Sequence, residues 1–180
     1  VDAVVHVTST KILEQDQYKS VWEYLNNDPS GTRKIPQSGF GSGVIISPDG
    51  YIVTNNHVIK QADEIVIKLN NGDELDAELI GTDPHTDVAV IKVDADKLPF
   101  LEFGNSDQLQ IGDWVMAVGN PLRLRTTVTA GIVSATARDI DIIGTTYKRD
   151  RYGRVYTVQD PEAIESFIQT DAVVNRGNSG

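Results

Sequence analysis

The chain of 180 residues contains no cysteine, which excludes disulfides and any thiolate metal site. Basic residues are few: 16 Lys and Arg stand against 26 Asp and Glu, a formal net charge of −10. That balance argues against a nucleic-acid partner, whose phosphates require a basic surface. It suits an acidic surface that keeps the chain dissolved. No apolar run is long enough to span a bilayer, and no segment carries a long helical stripe. A helix-borne His-Glu-x-x-His is also missing, which leaves zinc-hydrolase chemistry without its usual ligand spacing. The chain begins at Val1 with neither an initiator Met nor a signal peptide, so it reads as a mature or trimmed polypeptide. What remains is 39% hydrophobic and 23% charged, a composition that folds. The length suffices for one large domain or two small packed lobes.

Short β-prone runs separated by turn signals fill most of the chain and predict an all-β barrel or sandwich. Ala3-Val4-Val5-His6-Val7-Thr8 is the first, and His6 within it reads as a half-exposed strand histidine with no acid at a useful spacing. Residues 11–37 read as a long polar loop with a turn cluster at Asn26-Asn27-Asp28-Pro29-Ser30-Gly31. Within it Val21, Trp22, Tyr24 and Leu25 have the spacing of one helical turn. Those side chains either pack on the barrel or dock on a neighbouring subunit. Two hairpins follow. Pro48-Asp49-Gly50 turns the first, and Asn70-Asn71-Gly72-Asp73 turns the second. The first delivers Asn55-Asn56-His57 at a strand end, where a histidine on an apolar rim is placed as a general base with limited solvent access.

Asp87 abuts the apolar run Val88-Ala89-Val90-Ile91. A carboxylate there is costly unless a partner holds it, and His57 is the available partner. Asp83 competes for the role, but capping of its own Asp-Pro turn accounts for it. His85 reads as a solvent-facing loop histidine. Residues 98–112 form a linker. Beyond it, strands are expected at Trp114-Val115-Met116-Ala117-Val118, at residues 126–136 with a bend or bulge at Gly131, and at Phe167-Ile168-Gln169-Thr170. Residues 138–166 read as irregular. They hold a polar hairpin near 147–158 and a helix start at Asp160-Pro161-Glu162-Ala163. Lys148, Arg149, Arg151 and Arg154 cluster there against the net charge, as a solvated face or a sensor loop.

The last six residues, Asn175-Arg176-Gly177-Asn178-Ser179-Gly180, present a serine between small neighbours, as an acyl-transfer nucleophile is presented. The N–H groups of Gly177 and Ser179, aimed at one point, would make an oxyanion hole. His57, Asp87 and Ser179 follow one another in the order base, orienting carboxylate, nucleophile, which is the chain order of chymotrypsin. A metal hydrolase using His57, His85 and Asp87 is the alternative chemistry.

The motifs Gly41-Ser42-Gly43-Val44-Ile45-Ile46, Thr54-Asn55-Asn56-His57-Val58-Ile59, Thr86-Asp87-Val88-Ala89-Val90, Ala117-Val118-Gly119-Asn120-Pro121, Gln169-Thr170-Asp171-Ala172 and the terminal nucleophile loop run in one order. Together they resemble the HtrA (Deg) family of serine proteases. The resemblance implies a chymotrypsin-like double β-barrel, with a first lobe over 1–97, a linker over 98–112 and an incomplete second lobe over 113–180, and no PDZ domain within these residues. It implies a serine endopeptidase of periplasmic or otherwise extracytoplasmic quality control. Such an enzyme takes unfolded or misfolded polypeptides, assembles as a homo-trimer through N-terminal segments, and needs no cofactor and no metal. It places Val173, with Val174 beside it, at the base of the primary substrate pocket. An apolar base there implies cleavage after small or medium aliphatic residues. Because the second barrel is about half built from these strands, a catalytically inactive or chaperone-like binding fragment is the competing reading.

Overall fold

The computed structural model describes residues 2–17, 19–26, 31–120, 126–138, 143, 145–158 and 162–174. The first lobe is a closed six-stranded antiparallel barrel. Its strands are β1 (Val4–Gln17), β2 (Gly31–Ile45), β3 (Tyr51–Asn55), β4 (Glu64–Lys68), β5 (Glu74–Asp83) and β6 (Val88–Val93), hydrogen-bonded in the order β1-β2-β3-β6-β5-β4 and back to β1. Two-residue alternation fills the interior. Val5 and Val7 of β1, Ile45 of β2, Ile52 of β3, Ile67 of β4 and Ile91 and Val93 of β6 are all fully buried in one cluster. The turn between β2 and β3 depends on Gly50. Its φ of +98° lies in the left-handed region, and a Cβ there would run into the Val93 carbonyl.

Residues 11–37 differ from the expected loop. β1 and β2 stay paired far beyond the barrel, from Val4↔Val44 to Gln17↔Gly31, and form a hairpin arm. Its sequence is polar because both faces of the arm meet water, so no alternation marks it as a strand. Helix α1 (Val21–Asn26) sits at the far end. Val21, Trp22, Tyr24 and Leu25 form the helical turn read from their spacing, but they are exposed rather than packed on the barrel.

His6 also departs from its reading. It is 1% exposed. The alternation that turns Val5 and Val7 inward turns His6 outward, and there the second lobe covers it: its Nδ1 lies 2.7 Å from the Asn120 carbonyl oxygen. A strand pattern reports which face a residue occupies, not what lies against that face.

Residues 98–112 cross between lobes and include a capped 3-10 turn at Ser106–Gln108. In the second lobe, β7 (Trp114–Gly119) and β8 (Thr127–Arg138) pair antiparallel. β9 (Thr146–Arg149) and β10 (Val155–Val158) form a separate two-stranded hairpin. β11 (Phe167–Thr170) joins β8, giving a three-stranded sheet ordered β11-β8-β7. Among the described residues this sheet does not close, and Trp114 stands 82% exposed on it. Gly131 is not the expected bulge, since it pairs in register with Val115. Its lack of a side chain serves a close approach instead: a Cβ there would collide with the Ala172 backbone and the Asp171 carboxylate. The register shifts fall in the β11–β8 pairing. Of the expected helix start, Asp160 and Pro161 lie outside the described residues, and no helix follows from residue 162.

Candidate active site

β3 runs straight into the short helix α2 (Asn56–Ile59), which carries His57. The β3–β6 register pairs Asn55 with Val88. One further step along an antiparallel pair therefore brings residues 56 and 57 to Asp87. Asp87 has φ of +55°, a left-handed backbone that Asp tolerates better than most side chains. This turn points its carbonyl and its carboxylate at the same short segment. The Asp87 carbonyl accepts from Asn56 N–H and from the Asn55 side-chain amide, both at 3.0 Å. Its carboxylate accepts from His57 N–H through Oδ1 at 2.8 Å and faces His57 Nδ1 through Oδ2 at 2.6 Å. Thr82 Oγ1 donates to Asn56 Oδ1 at 2.5 Å and supports the turn from behind.

The imidazole is thus held by its Nδ1 side while Nε2 is left for another group. The side chains of His57 and Asp87 are 55% and 22% exposed. His57 is therefore more open than a base on an apolar rim would be, because the described residues cover only its Asp87 side.

Asp83 does not compete for His57. Its carboxylate accepts from Thr86 Oγ1 at 2.8 Å and His85 N–H at 3.0 Å. The Thr86 hydroxyl, followed by the His85 N–H, holds its pKa below the ordinary carboxylate value. His85 Nε2 lies 3.6 Å from Glu162 Oε2, so the loop histidine faces the segment after residue 161. Among the described residues, no group of three or more His, Asp or Glu has the geometry of a metal site.

Ser179 and Gly177 lie outside the described residues. The segment that leads to them is fixed up to Val174. Asp171 Oδ1 accepts from Ile132 N–H at 2.7 Å, and Thr129 Oγ1 donates to the Val173 carbonyl at 2.8 Å. The side chains of Val173 and Val174 are exposed. Sequence reasoning missed Asn55 and Asp171 as positioning groups. A polar pair directly before His57 was the available signal for the first. Asp171 stands in one of the motifs, but nothing local marked its partner, which is 39 residues away.

Residues 41–180 match the family described as trypsin-like peptidase domain. A probable periplasmic serine endoprotease DegP-like of Chlamydia trachomatis serovar D is 49% identical over 140 residues, covering 78% of this chain and 24% of its own length. The protein of the same description from Chlamydia pneumoniae is 42% identical over 174 residues, covering 91% of this chain and 32% of its own. Among solved structures, the HtrA-type protease AlgW with a tripeptide superposes with a TM-score of 0.71 at 37% identity, over 99% of this chain and 46% of that one. AlgW with a decapeptide gives 0.71 at 34% identity, over 99% and 51%. The chain thus spans 24% and 32% of the length of these two curated relatives.

Proposed function

Because the chain belongs to the trypsin-like peptidase family, as an HtrA/DegP-like serine protease domain, we propose that it acts as a serine endopeptidase through His57, Asp87 and Ser179. The observation that carries this reading is the two-point grip of Asp87 on His57, at 2.8 Å to the backbone N–H and 2.6 Å to Nδ1. A carboxylate oxygen can only accept, so Nδ1 carries a proton, and in the neutral ring Nε2 keeps its lone pair. That is the tautomer a general base requires.

In this reading Ser179 Oγ attacks the scissile carbonyl carbon and its proton passes to His57 Nε2. Asp87 stabilises the imidazolium without taking its proton. The developing oxyanion is received by the N–H groups of Gly177 and Ser179. The C–N bond then breaks, the leaving amine takes the proton from Nε2, and water hydrolyses the acyl-enzyme with the same histidine as base. Val173 and Val174 form an apolar pocket base for small or medium aliphatic side chains.

The proposed substrates are unfolded or misfolded polypeptides in the periplasm. The names of the relatives support the compartment, and the complexes of AlgW with a tripeptide and a decapeptide support a peptide ligand. A homo-trimer built through N-terminal segments would give the exposed apolar turn at Val21, Trp22, Tyr24 and Leu25 a partner surface.

Fluorophosphonate labelling of the full-length protein tests the reading. Ser179 should be the labelled residue, and Ser179→Ala should abolish labelling and peptide hydrolysis. A wild-type protein that resists the reagent while cleaving peptides would sink it. The β11-β8-β7 sheet, which does not close among the described residues, favours a second reading for residues 1–180 alone, as a non-catalytic binding fragment. That polypeptide by itself should show no peptidase activity, because an oxyanion hole works only when preorganised. Turnover by it that Ser179→Ala removes would refute this.

A further inference from the structure

A line of buried polar groups crosses from the first barrel to the second lobe. Thr54 Oγ1, on the strand that delivers His57, donates to the Ser42 carbonyl at 2.7 Å. Ser42 Oγ accepts from Asn120 N–H at 2.9 Å. The Asn120 carbonyl accepts from His6 Nδ1 at 2.7 Å. All four residues are more than nine-tenths buried. A carbonyl oxygen cannot donate, so the His6 proton sits on Nδ1. The ring also stacks on Phe40, with centroids 5.8 Å apart. Asn120 follows β7 directly, and both polar atoms of its backbone are therefore held by side chains of the first barrel. Buried backbone groups are costly to leave unpaired, so these bonds fix where the second lobe departs from the first.

We propose that His6 is a positioning residue for peptide hydrolysis. Through Asn120 it sets the second lobe, and with it the segment bearing Ser179, against the strand bearing His57. This inference rests on the serine-endopeptidase reading above. In that reading base and nucleophile come from different lobes, so the angle between lobes governs their separation. A misplacement of about 1 Å between reacting groups costs about 10²-fold in rate. Other inter-lobe bonds would survive the loss of His6. Thr126 Oγ1 donates to Asn70 Oδ1 at 3.0 Å, and the Asn120 side-chain amide donates to the same oxygen at 3.4 Å. The expected defect is therefore geometric, with the lobes still joined.

The test uses the full-length protein, a peptide substrate and fluorophosphonate labelling of Ser179. His6→Phe keeps a ring against Phe40 and loses the donor. It should lower kcat by about 10²-fold while KM stays within about twofold. His6→Asn can place an amide N–H where Nδ1 stands, and should recover at least about tenfold of that loss. Ser42→Ala removes the acceptor of Asn120 N–H and leaves the His6 donor in place, and should reproduce the kcat defect. It decides the case if His6→Phe does not fold. A His6→Phe enzyme with wild-type kcat, a His6→Asn enzyme as slow as His6→Phe, or a loss expressed in KM alone would overturn the proposal. Labelled Ser179 together with an unaffected His6→Phe sinks this inference and leaves the endopeptidase reading standing. Absence of labelling at Ser179 in an active wild type removes both.

Discussion

Replacing Asp87 by Asn changes one atom pair, and the structure says which way the new amide must point. Oδ1 accepts from the His57 backbone N–H at 2.8 Å, and Oδ2 faces Nδ1 at 2.6 Å. A backbone N–H cannot change its character, so the amide oxygen of Asn must stay at the Oδ1 position. The reverse orientation sets two donors face to face at the start of α2, which costs about 1–3 kcal/mol. With the oxygen so committed, the new NH2 faces Nδ1. The imidazole answers by moving its proton to Nε2, where it can no longer accept a proton from Ser179. At 1.36 kcal/mol per tenfold, the orientation term alone lowers the competent fraction by about 5- to 150-fold. Loss of the negative charge that stabilises the imidazolium supplies the remainder, and the total should approach about 10⁴-fold in kcat. Stability should fall much less. The backbone hydrogen bond survives, and the lost bond involves a half-exposed ring. The assay is kcat and KM on a peptide substrate for the full-length protein, with thermal unfolding and nitrogen NMR of the His57 tautomer alongside. Asp87→Asn activity within about tenfold of wild type would refute the orienting role. So would an imidazole that keeps its proton on Nδ1 in the variant.

Asp83→Asn should leave kcat within about threefold of wild type, since Asp83 serves its own turn; a loss near that of Asp87→Asn would reverse the assignment. Its folded pKa is lowered, chiefly by the Thr86 hydroxyl. Its contribution to stability is therefore present above the unfolded carboxylate pKa and lost as pH falls through the lower folded value. Acid titration of wild type against Asp83→Asn should show the two stability curves converging at the acid end. Gly131→Ala places a methyl against the Ala172 backbone and the Asp171 carboxylate, and should cost about 1–3 kcal/mol of stability. Chemical denaturation that finds it as stable as wild type would show that the approach of residues 171–172 is not tight. A peptide library should be cut after small or medium aliphatic residues. Preference for Lys or Arg would remove Val173 and Val174 from the pocket base.

The barrel was legible because its signals are local. Asn71-Gly72 and Asp49-Gly50 mark turns through glycines whose φ is +98° in both cases, and alternating apolar residues mark the strands between them. The pairing of His57 with Asp87 followed from the cost of an unpartnered carboxylate beside an apolar strand. The arm was illegible for the opposite reason. A two-stranded ribbon wetted on both faces has no hydrophobic period to read. His6 failed differently: its face was correct by alternation, but its burial depends on Asn120, 114 residues away. Gly131 likewise lies close to residues 171 and 172 for reasons that only the packed lobe contains.

The division of the proposed machinery follows from how the two halves obtain their precision. His57 and Asp87 are 30 residues apart, yet the β3–β6 register places them together without help from the second lobe. A one-residue slip would carry every inward side chain of β3 to the outside, so the core itself enforces that register. The base and its orienting group therefore inherit the stiffness of a closed barrel. The nucleophile has no such guarantee. Its segment hangs from a three-stranded sheet through Asp171, Thr129 and the close fit at Gly131. That sheet meets the barrel through polar bonds concentrated at Asn120. In this arrangement small displacements between lobes shift residues 171–174, which lead to the proposed nucleophile, while the His57–Asp87 pair stays intact.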